Sequence, residues 1–463
     1  MVKTVNISYM NDISTTLSLF FDSYSPSLSG NLRENRLERM NLLLKRIGNP
    51  EKVLKIIHIA GSKGKGTTAS YMSWIMNKYN MKTGLYLSPH VFDIRERFTL
   101  GTVFFPQSLY ESTLKELQKK IEGFSLPSEL GPDKPTTFEL YTAYGYLLFK
   151  NAGCEYAVVE TGLGGRLDAT NTVTPIAACF TYIEKEHTKI LGSTLKEIAL
   201  EKAGIMRKDV PSFFSDMPQE ALATLIKEAE RIGSPYTAFK LKIDELSYKG
   251  GEPVYSTNSV INNSVIALEN PRGFTDIELY DLNYALFVLN KLNIIKNVDR
   301  DHLNLGDGFS LPGRFSIKTI TLEDKRMNFV LDGAHTPSSI THLLDNIEAY
   351  NFDSLSTLVF STAIDKNYKE MADIIVPKFD RVIVLGLGES KKSDPKAIYD
   401  YISTKWKDKK VTLSNDGDEA INEVIETTPN EGHVVVTGSF YLVDSIFKSV
   451  KNYSNEHYKL ERT

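Results

Sequence analysis

The stretch Ile56-Ile57-His58-Ile59-Ala60-Gly61-Ser62-Lys63-Gly64-Lys65-Gly66-Thr67-Thr68 decides how the chain is read. An apolar run leads into a glycine-rich turn, and Ala69, Met72, Ile75, Met76 and Tyr79 then recur at helical spacing. This predicts a buried strand over 54–60, a loop over 61–66 and a helix over 67–79. Glycine lets backbone N–H groups approach an anion closely. The start of a helix adds roughly half a positive charge at the same place. Lys65 can reach β- and γ-phosphate oxygens, and Thr67 can donate or ligate beside them. Gly61, Gly64, Lys65, Gly66 and Thr67 are therefore the candidate phosphate-binding residues, with Ser62 and Lys63 as looser contributors. The pattern is not the common G-x-x-x-x-G-K-[ST], because residue 59 is Ile and Gly66 separates Lys65 from Thr67.

The same strand–loop–helix rhythm extends outward. Helices are expected over 32–47, 141–150, 194–203 and 282–292, and strands over 83–87, 156–160 and 176–183. The strand over 156–160 ends in a carboxylate, Glu160. Apolar strands without alternation argue for a parallel sheet covered on both faces. Residues 238–275 alternate in a β-like way and read as an antiparallel insertion. Gly306-Asp307-Gly308 reads as a linker. Beyond it the rhythm restarts, with strands over 329–331, 357–361, 381–387 and 433–437. Two domains are expected, 1–310 and 311–463.

The composition narrows the function classes. The 463 residues carry a formal charge of −4, which gives no electrostatic footprint for nucleic acid. Hydrophobic residues make up 41% and charged residues 24%, an ordinary globular balance. The two cysteines, Cys154 and Cys179, cannot form a disulfide framework or a cysteine-rich zinc site. No apolar run reaches the roughly 18 residues of a membrane span, and the N-terminus lacks a signal-peptide core. A cytoplasmic protein with reduced thiols is expected.

The motifs taken in order resemble a known family. Gly-x-x-Gly-Lys-Gly-Thr is similar to the phosphate loop of the Mur ligase superfamily, in its folylpolyglutamate synthase/dihydrofolate synthase branch. Leu87-Ser88-Pro89-His90 with Arg95-Glu96-Arg97-Phe98, Thr137-Phe138-Glu139 and Glu160-Thr161-Gly162-Leu163-Gly164-Gly165-Arg166-Leu167-Asp168-Ala169-Thr170-Asn171 follow the family's order. So do Glu186-His187-Thr188, Glu201-Lys202-Ala203-Gly204-Ile205, Leu311-Pro312-Gly313-Arg314-Phe315, Asp332-Gly333-Ala334-His335 and Gly438-Ser439-Phe440. The resemblance implies an α/β fold, with a P-loop Mur-ligase-like domain on a parallel sheet and a smaller C-terminal Rossmann-like α/β domain.

It also implies an ATP-dependent ligase that joins L-glutamate to a folate or to dihydropteroate. A carboxylate first becomes an acyl phosphate, and an amine then attacks it. Both partners of the first step are anionic, so metal and fixed cations must screen them. By resemblance Ser88, Glu160 and His187 hold Mg²⁺, and Lys65, Lys202, His187 and His335 are the candidate catalytic residues. The resemblance makes Lys202 a carboxylated lysine, whereas by itself it reads as a surface lysine. His187 by itself reads as a core or cap histidine. Asn283, Arg314 and Asp332 would hold the nucleotide. The pterin would meet Thr136, Thr137, Phe138, Leu167, Asp168 and Ala169, with Phe138 stacking on the ring or packing in the core and Asp168 accepting from ring N–H groups. A monomer is expected. The chain departs from the family at Glu186, where Asp is usual, at Thr336, where Asn is usual, and at Tyr280, where Gln is usual. Two other readings are a catalytically silent ATP-binding protein and a Mur-type ligase acting on another carboxylate.

Overall fold

Strand β1 (Lys55–Ala60) is buried at every position but its first, as a central strand covered on both faces must be. The computed structural model describes residues 13–25, 30–240, 243–249, 252–261, 264–269, 276–296, 311–349, 355–388 and 391–453. β1 is the central member of a seven-stranded sheet in the order β3-β2-β4-β1-β5-β6-β7. The others are β2 (Thr83–Tyr86), β3 (Phe98–Leu100), β4 (Tyr156–Glu160), β5 (Ala177–Phe180), β6 (Ser212–Phe214) and β7 (Tyr236–Ala238). Only β2 and β3 pair antiparallel; the remaining pairs are parallel. Ile59 of β1 lies beside Glu160 of β4, so the phosphate loop and that carboxylate leave neighbouring strands at the same edge.

The helices of this unit are α1 (Ile13–Asp22), α2 (Arg36–Ile47), α3 (Lys65–Lys78), α4 (Gln107–Ile121), α5 (Thr137–Asn151), α6 (Thr188–Leu191), α7 (Leu195–Ala203), α8 (Gln219–Ile232) and α9 (Asp276–Lys291). Several begin elsewhere than periodicity predicts. α5 starts at Thr137 rather than 141 because Thr136 and Glu139 form a capping box. Thr194 is likewise the cap of α7 rather than its first residue. The first part of the helix expected over 32–47 is a 3₁₀ turn (Gly30–Asn35). Helices α1, α2, α4 and α5 cover one apolar cluster, and α6, α7 and α8 cover another.

The second sheet runs β11-β12-β16-β13-β14-β15, from β11 (Ser316–Leu322), β12 (Lys325–Asp332), β13 (Leu355–Phe360), β14 (Arg381–Val384), β15 (Lys410–Leu413) and β16 (His433–Thr437). β11 pairs antiparallel with β12, and the rest are parallel. Its helices are α10 (Pro337–Ala349), α11 (Tyr368–Ile375), α12 (Pro395–Lys405), α13 (Gly417–Thr427) and α14 (Phe440–Tyr453). The insertion expected over 238–275 contains β8 (Ile243–Lys249), β9 (Glu252–Ile261) and β10 (Ser264–Glu269), in the order β10-β9-β8 with β9 and β10 antiparallel.

Two compact units result. One spans 1–246, 255–269 and 274–304; the other spans 247–254, 270–273 and 305–463. The linker expected at 306–308 and the boundary near 310 lie outside the described residues. Among the described residues, no helix is long and apolar enough to cross a membrane.

Candidate active site

Helix α3 starts at Lys65, two residues before the predicted start, with Gly64 as its N-cap in a left-handed conformation (φ 78°). Thr68 makes the first helical bond, to the Gly64 carbonyl, so the N–H groups of Lys65, Gly66 and Thr67 precede the helical ladder. That is the geometry of an anion-binding helix start. Side chains are excluded at two points of the loop. A Cβ on Gly61 would lie 1.8 Å from Thr181 Oγ1, and one on Gly64 would lie 2.8 Å from Asp281 Oδ1. The N–H groups of Ser62 and Lys63 both donate to the Tyr182 carbonyl, and Ser62 Oγ donates to the Glu184 carbonyl. These bonds tie the phosphate loop to the segment that follows β5 and carries Glu184, Glu186 and His187.

Lys202 is not a surface lysine. It is 1% exposed, and its Nζ donates to the Gly61 carbonyl at 2.6 Å and to Glu186 Oε1 at 2.9 Å. Burial lowers its pKa to about 8, against the pull of Glu186. Burial also acts to raise the Glu186 carboxyl, but Lys65 and Lys202 outweigh it and hold that group at about 2. Lys63 pairs with Glu184 at 3.5 Å, and burial lowers its pKa too. Three lysines, Lys63, Lys65 and Lys202, thus stand around the loop against three carboxylates, Glu184, Glu186 and Asp281, so the cations are held in place by counter-charges beside the helix start where a polyphosphate would lie.

Glu160 is 3% exposed, and its Oε2 accepts the Ser88 N–H at 3.0 Å. The structure therefore brings Glu160 and Ser88 together, one strand away from the phosphate loop. A carboxylate and a hydroxyl are hard oxygen donors, a set that suits an Mg²⁺ ion keeping phosphate and water in its other positions. Among the described residues, no three His, Cys, Asp or Glu side chains converge into a self-sufficient metal centre. His187 is exposed at the head of α6, in a left-handed conformation (φ 47°). It follows Glu186, whose carboxylate is engaged by Lys202.

The residues expected at the pterin divide into two groups. Phe138 is half-buried in the first turn of α5, with its ring where a Gly162 Cβ would fall, 2.4 Å from Cζ. The others have structural duties. Thr136 caps α5, Thr137 Oγ1 donates to the Phe21 and Tyr24 carbonyls, and Leu167 and Ala169 are buried. Asp168, expected to accept from the pterin, is also engaged by the protein itself. Its Oδ2 accepts the N–H groups of Gly162 and Leu163, and its Oδ1 accepts both the N–H and the hydroxyl of Thr170. Four donors fill a carboxylate. Because Thr170 gives its proton to Asp168, His58 Nε2–H donates to Thr170 Oγ1 at 2.8 Å. The chain His58–Thr170–Asp168 thus holds the glycine loop from beneath.

Asn283, expected at the nucleotide, lies on α9. It is wholly buried and donates Nδ2 to the Leu279 carbonyl. Tyr280, the departure beside it, accepts the Asp216 N–H at its hydroxyl and anchors that loop to α9. In the second unit three separate motifs meet. Asp332 accepts the N–H groups of Phe315 and Ala334, Gly333 N–H donates to the Gly313 carbonyl, and the Arg314 guanidinium lies 5.3 Å from the Phe440 ring centre. His335 Nδ1 is 2.9 Å from the Gly333 carbonyl. Thr336 and Ser339 exchange bonds at the start of α10, so Thr336 works there as a cap.

Sequence reading missed two buried arginines. Arg39 is wholly buried and reaches Glu139 at 2.9 Å and the carbonyls of Leu130, Pro132 and Lys134. Its place on the Met40–Leu43 stripe of α2 was the available signal. Arg97 closes the Arg95-Glu96-Arg97 motif, and nothing in the neighbouring sequence marks it as buried.

Residues 313–440 match the family described as Mur ligase, glutamate ligase domain. The chain is 28% identical over 433 residues to the dihydrofolate synthase/folylpolyglutamate synthase of Bacillus subtilis, covering 90% of this chain and 95% of that one. Its fold is that of Mycobacterium tuberculosis folylpolyglutamate synthase complexed with ADP and AMPPCP (TM-score 0.79, 21% identity, 96% and 99% of the two chains). It is equally that of E. coli FolC in complex with DHPP and ADP (TM-score 0.76, 23% identity, 96% and 98%). The chain is an ATP-dependent ligase with a Mur ligase domain over residues 313–440, similar along nine-tenths of its length to the dihydrofolate synthase/folylpolyglutamate synthases.

Proposed function

We propose that the chain adds L-glutamate to a folate, or to dihydropteroate, at the expense of ATP and by way of an acyl phosphate. One observation carries this reading: buried Lys202 bonds both the phosphate-loop carbonyl of Gly61 and Glu186, while the adjacent strand ends in Glu160, bonded to Ser88. Lys65 and the N–H groups of Lys65, Gly66 and Thr67 bind the phosphates and offset the repulsion between them and the substrate carboxylate. An Mg²⁺ ion held by Glu160 and Ser88 would neutralise charge on the oxygens of the transferring phosphoryl group. Phe138 supplies a ring face for the pterin. In the second unit Arg314 and Asp332 serve the nucleotide and His335 serves the glutamate. The enzyme works as a monomer in the cytoplasm, with the ATP and folate functions in 1–310 and the glutamate ligase function in 311–463.

Lys202 has two forms in this scheme. As an amine it pairs with Glu186. Its neutral fraction, raised by a pKa near 8, can form an N–C bond to CO₂ with loss of one amine proton to solvent, and the resulting carbamate would repel Glu186. Intact mass measured in bicarbonate distinguishes the two forms.

Phosphate release dependent on ATP, glutamate and folate tests the reading, with dihydropteroate and tetrahydrofolate assayed side by side. Release with either one establishes the ligase and its substrate. Nucleotide binding with no release on any folate would overturn it in favour of a silent ATP-binding protein.

A further inference from the structure

We infer that Arg97 binds the carboxylate of the pterin-bearing acid. This rests on the folate reading above and adds a residue to it. Arg97 is 8% exposed, and a buried guanidinium demands partners. Its Nε–H donates to His90 Nδ1 at 2.7 Å, and the Tyr141 ring covers one face of the guanidinium at 4.3 Å. Asp22, at the end of α1, feels its charge, but among the described residues no carboxylate comes within the 4.0 Å of an ion pair. The side chain is therefore fixed at Nε and on a ring face, while the paired Nη1 and Nη2 edge has no carboxylate to meet. That edge is the fork which takes a carboxylate through two parallel bonds.

Its position specifies the ligand. The Arg97 carbonyl accepts the Leu87 N–H, so Arg97 lies across from the residue that precedes Ser88. Tyr141 follows Phe138 by one turn of α5, and Tyr86, next to Leu87, bonds Thr142 on that helix. An acid whose ring rests near Phe138 would extend along α5 towards Arg97 and the Ser88–Glu160 pair. Glu96 accepts the N–H groups of Val91, Phe92 and Asp93, which holds the intervening loop, including its approach to His90, in shape.

The test compares dissociation constants of dihydropteroate and its carboxamide, with a non-hydrolysable ATP analogue as the control for folding. The wild-type protein should favour the acid, and Arg97→Gln should reduce the acid-to-amide preference by about 10–100-fold with the ATP analogue unaffected. Arg97→Lys, which keeps the charge but not the fork, should fall between them and serves alone if Arg97→Gln does not fold. An unchanged preference in the variants overturns the role of Arg97 while leaving the folate reading intact. Wild-type protein that binds neither pterin overturns both.

Discussion

The phosphate-loop site and the motif cluster of the second unit use polar residues in opposite ways. Around the loop, side-chain charges face one another. Lys202 and Glu186 form a buried pair, Lys63 meets Glu184, and Lys65 acts on Glu186 through its field. In the second unit the motif side chains face the backbone. Asp332 ties Phe315 to Ala334, His335 meets the Gly333 carbonyl, and Arg314 rests on a ring. The first arrangement creates a field, which attracts and steadies phosphate. The second creates a shape, by holding three chain segments in register. Membership of a motif therefore says little about which of these duties a residue has.

The largest effect should come from removing a field residue that has almost no structural duty. Lys65 is half-buried and, among the described residues, its Nζ has only a long bond, 3.4 Å, to the Ser62 carbonyl. Lys65→Met should lower kcat at least about 100-fold with little change in thermal midpoint. A variant that unfolds, or one that turns over normally, would break the contrast between field and shape.

Glu186→Gln comes next, read in stability. It leaves Lys202 a buried cation without its counter-charge, at a cost of about 3–5 kcal/mol, measurable by denaturant unfolding. The acid limb sharpens the point. A carboxyl held near 2 instead of its ordinary 4.5 contributes stability that is complete above pH 4.5 and is lost as pH falls towards 2. Wild-type protein should therefore lose more stability than Glu186→Gln between those pH values. Lys202 has a slope of the same sign in a more alkaline window. With its pKa lowered from 10.5 to about 8, its unfavourable contribution fades as pH rises through that window.

Much of this was legible in the chain. The β1–loop–α3 unit announces itself because an apolar run, glycines and helical periodicity agree. The position of Lys202 was legible too: Leu195, Ile198, Ala199 and Lys202 follow one helical stripe, so spacing places the lysine on the buried face of α7. Reading it as a surface lysine weighs residue type above position. The Lys202–Glu186 pair was not legible, because its partner sits on a loop before the helix and reaches back only in three dimensions. Asp168 shows the reverse difficulty. An acid in a glycine-rich loop invites a ligand role, and only the four donors around it reveal that it has a structural one as well. Helix starts were misplaced wherever a cap, such as Thr136, rather than the apolar period set the first turn.

A smaller effect probes shape in the second unit. A Cβ on Gly333 would stand 2.2–2.6 Å from the Phe440 ring, so Gly333→Ala should cost about 1–3 kcal/mol through overpacking. Phe440→Ala removes the obstacle, and the double variant should lose less than the sum of the single ones, a coupling that unfolding midpoints would show. Additive losses would mean that the ring does not set this turn.

The smallest effect is expected at Thr336, where the chain departs from its family. Its hydroxyl accepts the Ser339 N–H at 3.3 Å, and Ser339 Oγ accepts the Thr336 N–H at 3.0 Å, a reciprocal cap on α10. Asn caps a helix about as well as Thr, whereas Ala does not cap. Thr336→Asn should therefore change stability by no more than about 0.5 kcal/mol, against about 1 kcal/mol lost in Thr336→Ala, and both should keep the wild-type KM for glutamate. If Thr336→Asn leaves stability alone but shifts the glutamate KM several-fold, the side chain meets the substrate, and this corner of the second unit belongs with the phosphate loop among the places where side chains act on ligands rather than on the backbone.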